Sequence, residues 1–143
     1  MAETEYGKPL PIPSQLSEPF WSACKNHELK IQRCRSCGVF RFPPAILCPE
    51  CLSREVEWKK VSGKGKVFSF VVYRRLYHPA FEADLPYTVA VIELEEGARL
   101  LSNVVGIPPE QVTCDMHVEV VFEDVTPEMT LPKFRPCTDA GAL

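Results

Sequence analysis

Four cysteines in the pattern C-x2-C-x10-C-x2-C, within "CRSCGVFRFPPAILCPEC" over residues 34–51, constrain this chain more than any other feature. In each pair the two-residue spacing lets a tight knuckle aim both sulfurs at one ion. The loop between the pairs then folds back so that the two knuckles complete a tetrahedron. Turn chemistry agrees, with Gly38 directly after the first pair and Pro49 inside the second. Cys34, Cys37, Cys48 and Cys51 are therefore expected to hold Zn2+, and a rubredoxin-type iron centre is the alternative that the ligand type leaves open. Four protein ligands leave no open coordination position, so the metal is expected to be structural. Its binding contributes on the order of 10 kcal/mol to a segment too short to bury a core of its own. Four thiolates around a divalent ion carry excess negative charge, which Arg33, Arg35 and Arg41 are placed in sequence to offset.

The competing readings of a cysteine cluster are a disulfide framework and a redox pair. The N-terminal stretch "MAETEYGKPLPIPSQ" lacks the basic start and apolar run of a signal peptide. No apolar stretch approaches the roughly 20 residues needed to span a bilayer. The expected compartment is the cytoplasm, where clustered cysteines bind metal or react rather than cross-link. A thioredoxin-like pair would require a βαβ pattern, which the sequence does not have.

Along the 143 residues four regions are expected. Residues 1–28 hold an extended arm with Pro9, Pro11 and Pro13, then a short helix from Phe20 to about Leu29, with Ser17 as N-cap and Pro19 in its first turn. The aromatic face of that helix, Phe20 and Trp21, either packs on the ribbon or docks on another subunit. Residues 29–61 form the ribbon, with "LKIQRC" and "VEWKKV" as its strands. Residues 62–136 follow a Gly-rich turn, "SGKGK", and carry strand patterns at 66–75, 87–94, 98–106 and 116–124, with "PKFRP" as a closing strand and "PPEQV" as one helical turn. Five strands with a connection between the third and fourth match the OB-fold, a small Greek-key barrel. Residues 137–143 read as a flexible tail. The expected fold class is mainly β: a helix and a rubredoxin-like zinc ribbon leading a five-stranded OB-fold barrel.

The combination of "LKIQRCRSCGVFRFPPAILCPEC", "GKGKVFSFVVYRR" and "LPYTVAVIELEEGARLLSNVVG" resembles the DUF35 family over residues 15–136, down to the aromatic-Pro-Pro of Phe42, Pro43 and Pro44 between the cysteine pairs. That resemblance implies a small non-catalytic subunit of a thiolase-like complex that processes acyl-CoA esters, or of a hydratase-like one. The implied partners are a thiolase-like large subunit and acyl-CoA.

Independent catalysis has little to stand on. The spare thiols are Cys24, Cys114 and Cys137, and the histidines His27, His78 and His117. Cys114 and His117 are near in sequence, but three residues apart on a strand their side chains point to opposite faces. Cys114 is expected to be a small buried residue. Binding of CoA fits better. Its phosphates want positive charge, which Lys64, Lys66, Arg74 and Arg75 supply, and its adenine wants a stacking surface. The loop "LYHPAFEADLPY" (76–87), with Tyr77, His78 and Phe81, is expected to close over the pantetheine or acyl part at the partner's active site. The bland alternative is that its aromatics fill the barrel end and the arginines are solvated. OB-folds also bind single-stranded nucleic acid. A net charge of −3 and the absence of evenly interleaved basic and aromatic positions argue against that here.

Overall fold

The computed structural model describes residues 7–137, so the first six residues of the expected arm and all of the expected tail except Cys137 lie outside the described residues. A helix α1 runs Glu18–Lys25 and buries Phe20, Ala23 and Cys24, spaced i, i+3 and i+4, on one face. It stops four residues short of the expected Leu29. His27 takes a left-handed φ of 59°, and the N–H groups of His27 and Glu28 turn back to the carbonyls of Cys24 and Ala23 at 2.8 and 2.9 Å. That arrangement closes the last turn and reverses the chain. Ser17 stands at the N-cap position without capping; its hydroxyl instead accepts from the Ser14 N–H at 2.9 Å.

The ribbon is a three-stranded antiparallel sheet of β1 (Lys30–Cys34), β2 (Phe40–Arg41) and β3 (Val56–Lys60), in the order β2-β1-β3. The second strand, two residues long, carries too little periodicity to be read from sequence.

Five further strands close a barrel: β4 (Lys64–Tyr73), β5 (Tyr87–Leu94), β6 (Arg99–Val104), β7 (His117–Asp124) and β8 (Thr130–Pro136). Their order is β4-β5-β6-β8-β7, with β7 returning to β4, the five-stranded barrel of an OB-fold. Strict alternation in β5 buries Thr88, Ala90, Ile92 and Leu94, which meet Val67, Leu100, Val104, Val118 and Phe134 in the core. Lys64 and Lys66 lie in β4 rather than in the Gly-rich turn. The glycine between them permits a close approach, since a Cβ on Gly65 would stand 2.4 Å from the Glu93 carbonyl oxygen. Phe68 is an extra residue between the pairs Val67–Ile92 and Ser69–Val91, a bulge that bends β4 outward.

One apolar cluster takes in helix, ribbon and barrel, from Phe20, Cys24, Leu29 and Ile31 through to Phe134. Phe20 packs on Phe42 of the ribbon with ring centroids 5.1 Å apart. His27 stacks on Phe122 of β7, and its Nε2 lies 3.0 Å from the Asp124 carboxylate. No helix among the described residues is long and apolar enough to cross a membrane.

Candidate metal centre and ligand face

The two knuckles are built alike. In the first, the Cys34 N–H bonds the Val39 carbonyl and the Gly38 N–H bonds the Cys34 carbonyl, both at 2.9 Å. In the second, the Cys48 N–H bonds Ser53 and the Leu52 N–H bonds Cys48, at 2.9 and 2.8 Å. Each knuckle needs a left-handed residue after its second cysteine: Gly38 at φ 82° and Leu52 at φ 65°. Backbone N–H groups also point at sulfur, Cys37 to Cys34 at 3.5 Å and Glu50 to Cys48 at 3.4 Å.

These loops bring all four sulfurs within 4.8 Å of one another, with Cys34–Cys51 and Cys37–Cys48 both at 3.6 Å. A tetrahedron with zinc–sulfur bonds of about 2.3 Å has edges of about 3.8 Å, so the quartet fits Zn2+. Without an ion the four thiols ionise unequally. The Cys37 N–H draws Cys34 down to about 6, and the Cys51 N–H draws Cys48 down. At Cys37 and Cys51 the N–H groups of Val39 and Ser53 pull the same way, but burial and the neighbouring sulfurs outweigh them. Cys37 rises, and Cys51 rises to about 12. Four thiolates at this spacing require a cation among them. Cys34, Cys37, Cys48 and Cys51 would hold it, and the ion supplies a cross-link between two loops that have no apolar core of their own.

Of the three nearby arginines, Arg33 pairs with Glu57 at 3.0 Å and lies over the first knuckle, 3.2 Å from where a Gly38 Cβ would be. Arg35 reaches the same carboxylate at 4.0 Å. Arg41 is buried, donating from Nε to Gln32 and from a terminal nitrogen to the Ala45 carbonyl, both at 2.9 Å. It braces the loop between the cysteine pairs instead of facing solvent.

The basic and aromatic residues fall into two places, not one. Lys64 and Lys66 begin β4 while Arg74 and Arg75 follow its end, roughly 30 Å away at the rise of a strand. The lysines border a groove of about 190 Å3 with Glu93, Glu95 and His117, and Lys66 lies 3.7 Å from Asp115. One phosphate cluster cannot use all four cations, because the strand that carries them holds them apart. The other end gathers aromatics: Tyr73 stacks on Tyr87 at 5.2 Å, Tyr77 meets Tyr73 edge-on, and Phe81 stacks on Tyr87 and meets His78 edge-on. Arg75 lies over the Tyr77 ring at 5.8 Å, and Arg74 is 3.8 Å from Glu110. Burial raises the Tyr87 phenol, with Tyr73 and Asp84 adding to it. Tyr77 is 73% exposed. His78 accepts from the Ala80 N–H and starts the 3-10 turn Pro79–Asp84.

Beside this cluster is a cavity of about 230 Å3 that the sequence reading missed, lined among others by Lys8, Phe81, Asp84, Asn103 and Lys133. Lys8 of the arm reaches Asp84 and lies over the Phe81 ring at 5.1 Å. No periodic pattern announces a lysine in a proline-rich arm, and charge alone was the available signal.

Two expectations need correction. Phe20 is 3% exposed and packed inside the chain, so it is not a docking surface; Trp21, half-buried, lines a groove of about 310 Å3 with Phe42, Leu101 and Pro132. Cys114 is exposed, not buried, because the left-handed turn at Asp115 carries it out of the barrel. No hydrogen bond joins it to His117 among the described residues. Burial pushes the Cys24 thiol up to about 12, which suits a core residue.

A four-cysteine ribbon fused to a closed five-stranded barrel defines a class, the zinc-ribbon/OB-fold proteins. Residues 21–57 match the family model for the ChsH2 rubredoxin-like zinc ribbon domain, and residues 58–123 match that for the ChsH2 C-terminal OB-fold domain. The chain belongs to the DUF35/ChsH2 family. A solved structure, "Ltp2-ChsH2(DUF35) aldolase", superposes with a TM-score of 0.81 at 40% identity, covering 89% of this chain and 98% of that one. A probable enoyl-CoA hydratase alpha subunit of Thermomonospora curvata is 44% identical over 82% of this chain. A benzoylsuccinyl-CoA thiolase subunit, BbsA, of Thauera aromatica is 33% identical over 68%. The chain spans 36% of the length of the first of these relatives and 65% of the second.

Proposed function

We propose that this chain is the non-catalytic subunit of a thiolase-like acyl-CoA enzyme, which it braces and whose acyl-CoA site it helps to line. The observation that carries the reading is the 40% identity, over 98% of its length, to the DUF35 chain of an aldolase complex. Thiolysis and retro-aldol cleavage both break a carbon–carbon bond and release a carbanion stabilised by a carbonyl group, so one accessory module suits both. The aromatic end of the barrel supplies the contact. Arg74 and Arg75 offer charge to phosphate, and Tyr77, His78 and Phe81 offer flat surface to the pantetheine or acyl part. Lys64 and Lys66 lie too far along β4 to share that ligand and are left to contacts with the partner. Trp21 is the part of the helix face open to such a contact.

Within this reading the finer candidate is the small subunit of benzylsuccinyl-CoA thiolase, supported by the likeness to subunits named for benzoylsuccinyl-CoA thiolase. A second reading, accessory subunit of an acyl-CoA hydratase, is favoured by the relatives named as hydratase alpha subunits.

Co-expression with thiolase-like and hydratase-like subunits of the same genome, followed by mass measurement, separates the two. The expected result is a stable assembly with the thiolase-like subunit and turnover only in the assembly. Arg74→Ala with Arg75→Ala should then weaken acyl-CoA binding at least tenfold. Unchanged affinity would remove the proposed CoA contact, and turnover by the isolated chain would remove the accessory role.

A further inference from the structure

The barrel is closed, yet β4 is paired on both sides over only its first few residues. It meets β5 along its length, Gly65 to Tyr73, but it meets β7 only at Lys64, Gly65 and Lys66. The last bonds on that side are both made by Val67, whose N–H donates to the Met116 carbonyl at 3.0 Å and whose carbonyl accepts from the Asp115 N–H at 2.7 Å. Beyond the Phe68 bulge, no backbone hydrogen bond among the described residues reaches the outer edge of "FSFVVY", Phe68–Tyr73. The chain after β6 is joined to this stretch by a hydrogen bond at one end, from the Asp115 N–H to the Val67 carbonyl, and by an ion pair at the other, Glu110 with Arg74.

An open edge of this length is ordinarily blunted by lysine, proline or a covering element. Here none of the six residues is charged or proline, and Phe68, Val71 and Tyr73 are 46%, 56% and 36% exposed. A groove of about 380 Å3 runs past Val71, Tyr73, Arg74, Arg75 and Tyr77 at the far end. Backbone donors and acceptors in a row, with exposed apolar side chains beside them, are the recognition surface of strand addition.

We infer that this edge takes an extended segment of the enzyme subunit the chain serves, an apolar strand with a carboxylate at the end that meets Arg74 and Arg75. The inference rests on the functional reading above and adds where the two subunits join. Charge selects the occupant. Antiparallel pairing of the edge with a second copy of itself, fully overlapping Phe68–Tyr73, sets Arg75 of one copy opposite Lys66 of the other. Like charges directly opposite destabilise a strand pair. Glu110 answers only one of the two arginines, so the Arg74–Arg75 end retains surplus positive charge for an acidic strand end.

Register identifies the groups that bond. The Leu94 N–H donates to Ala98, so the even-numbered residues of β5 face β6 and its odd-numbered residues face β4. Val71 opposite Val89 therefore bonds inward, and the N–H groups of Phe70 and Val72 point to the open edge. Proline at position 72 removes an outward donor and leaves the β5 ladder intact.

The test is amide exchange on the full chain, alone and with the co-expressed thiolase-like subunit. It is combined with association measurements on Val72→Pro and Val71→Lys, both first checked for metal content and melting. The expected result is exchange at the outward Phe70 and Val72 amides slowed at least tenfold in the complex and association weakened at least tenfold in both variants. Slow exchange there in the free monomer would show that the chain covers its own edge, and slow exchange in a homodimer would show a second copy; either overturns the inference. If the subunits assemble with the edge still exchanging freely, or both variants associate normally, the docking assignment falls and the functional reading stands. If they do not assemble at all, the functional reading falls and takes the docking with it.

Discussion

The ribbon and the barrel reach stability by opposite routes. The barrel buries side chains from all five strands around Phe134, Ile92 and Val118, each with no exposed surface. It repeats a single rule, alternation, along long strands. The ribbon has three short strands, one of only two residues, and its loops are fixed by four sulfurs brought within 4.8 Å. Where chain length supplies enough apolar area, packing suffices; where it does not, a point of coordination replaces it. The comparison also separates what each part does with its surface. The ribbon spends its chemistry inward on the metal, while the barrel leaves an edge and an aromatic end outward.

Metal removal should break the contrast most. Chelation, or Cys34→Ser, is expected to remove on the order of 10 kcal/mol from the ribbon. Amide exchange should then rise across β1–β3 while the core amides of β5 stay protected. Equal loss in both regions would mean that the barrel also depends on the ion. Phe134→Ala is the reverse experiment, expected to cost about 3–5 kcal/mol in denaturant unfolding while the chain retains its full complement of metal. The smallest effect compares the two knuckles. Leu52 occupies at φ 65° the place that Gly38 fills at 82°, and it is 69% exposed. Leu52→Gly should relieve left-handed strain and raise ribbon stability by up to about 1 kcal/mol, read as slower metal loss to a chelator; faster loss would show that the leucine's contacts outweigh the strain.

Much of this was legible in the residues, and what was not has definite causes. The cysteine spacing dictates the metal centre because coordination geometry is local. β5 begins and ends where its alternation does, at Tyr87 and Leu94, because each of its side chains has one face to choose. The end of α1 was overrun because helical spacing continues through His27, and only the left-handed φ there ends it. Lys64 and Lys66 read as a turn in sequence because glycine more often marks a turn than a close approach of two strands. The four basic residues look like one site in sequence because sequence distance does not display the length of an extended strand. The open edge of β4 could not be read at all: a strand's own residues do not record where its neighbour ends.

The seating of Phe20 between Phe42 and the shared core has a mechanical consequence. Aromatic rings packed at the joint, with His27 paired to Asp124 beside it, tie the orientation of the ribbon to that of the barrel. Under the function proposed above, a subunit that grips one arm would bias the angle of the other, and with it the reach from the ribbon tip to the tyrosines at the far mouth.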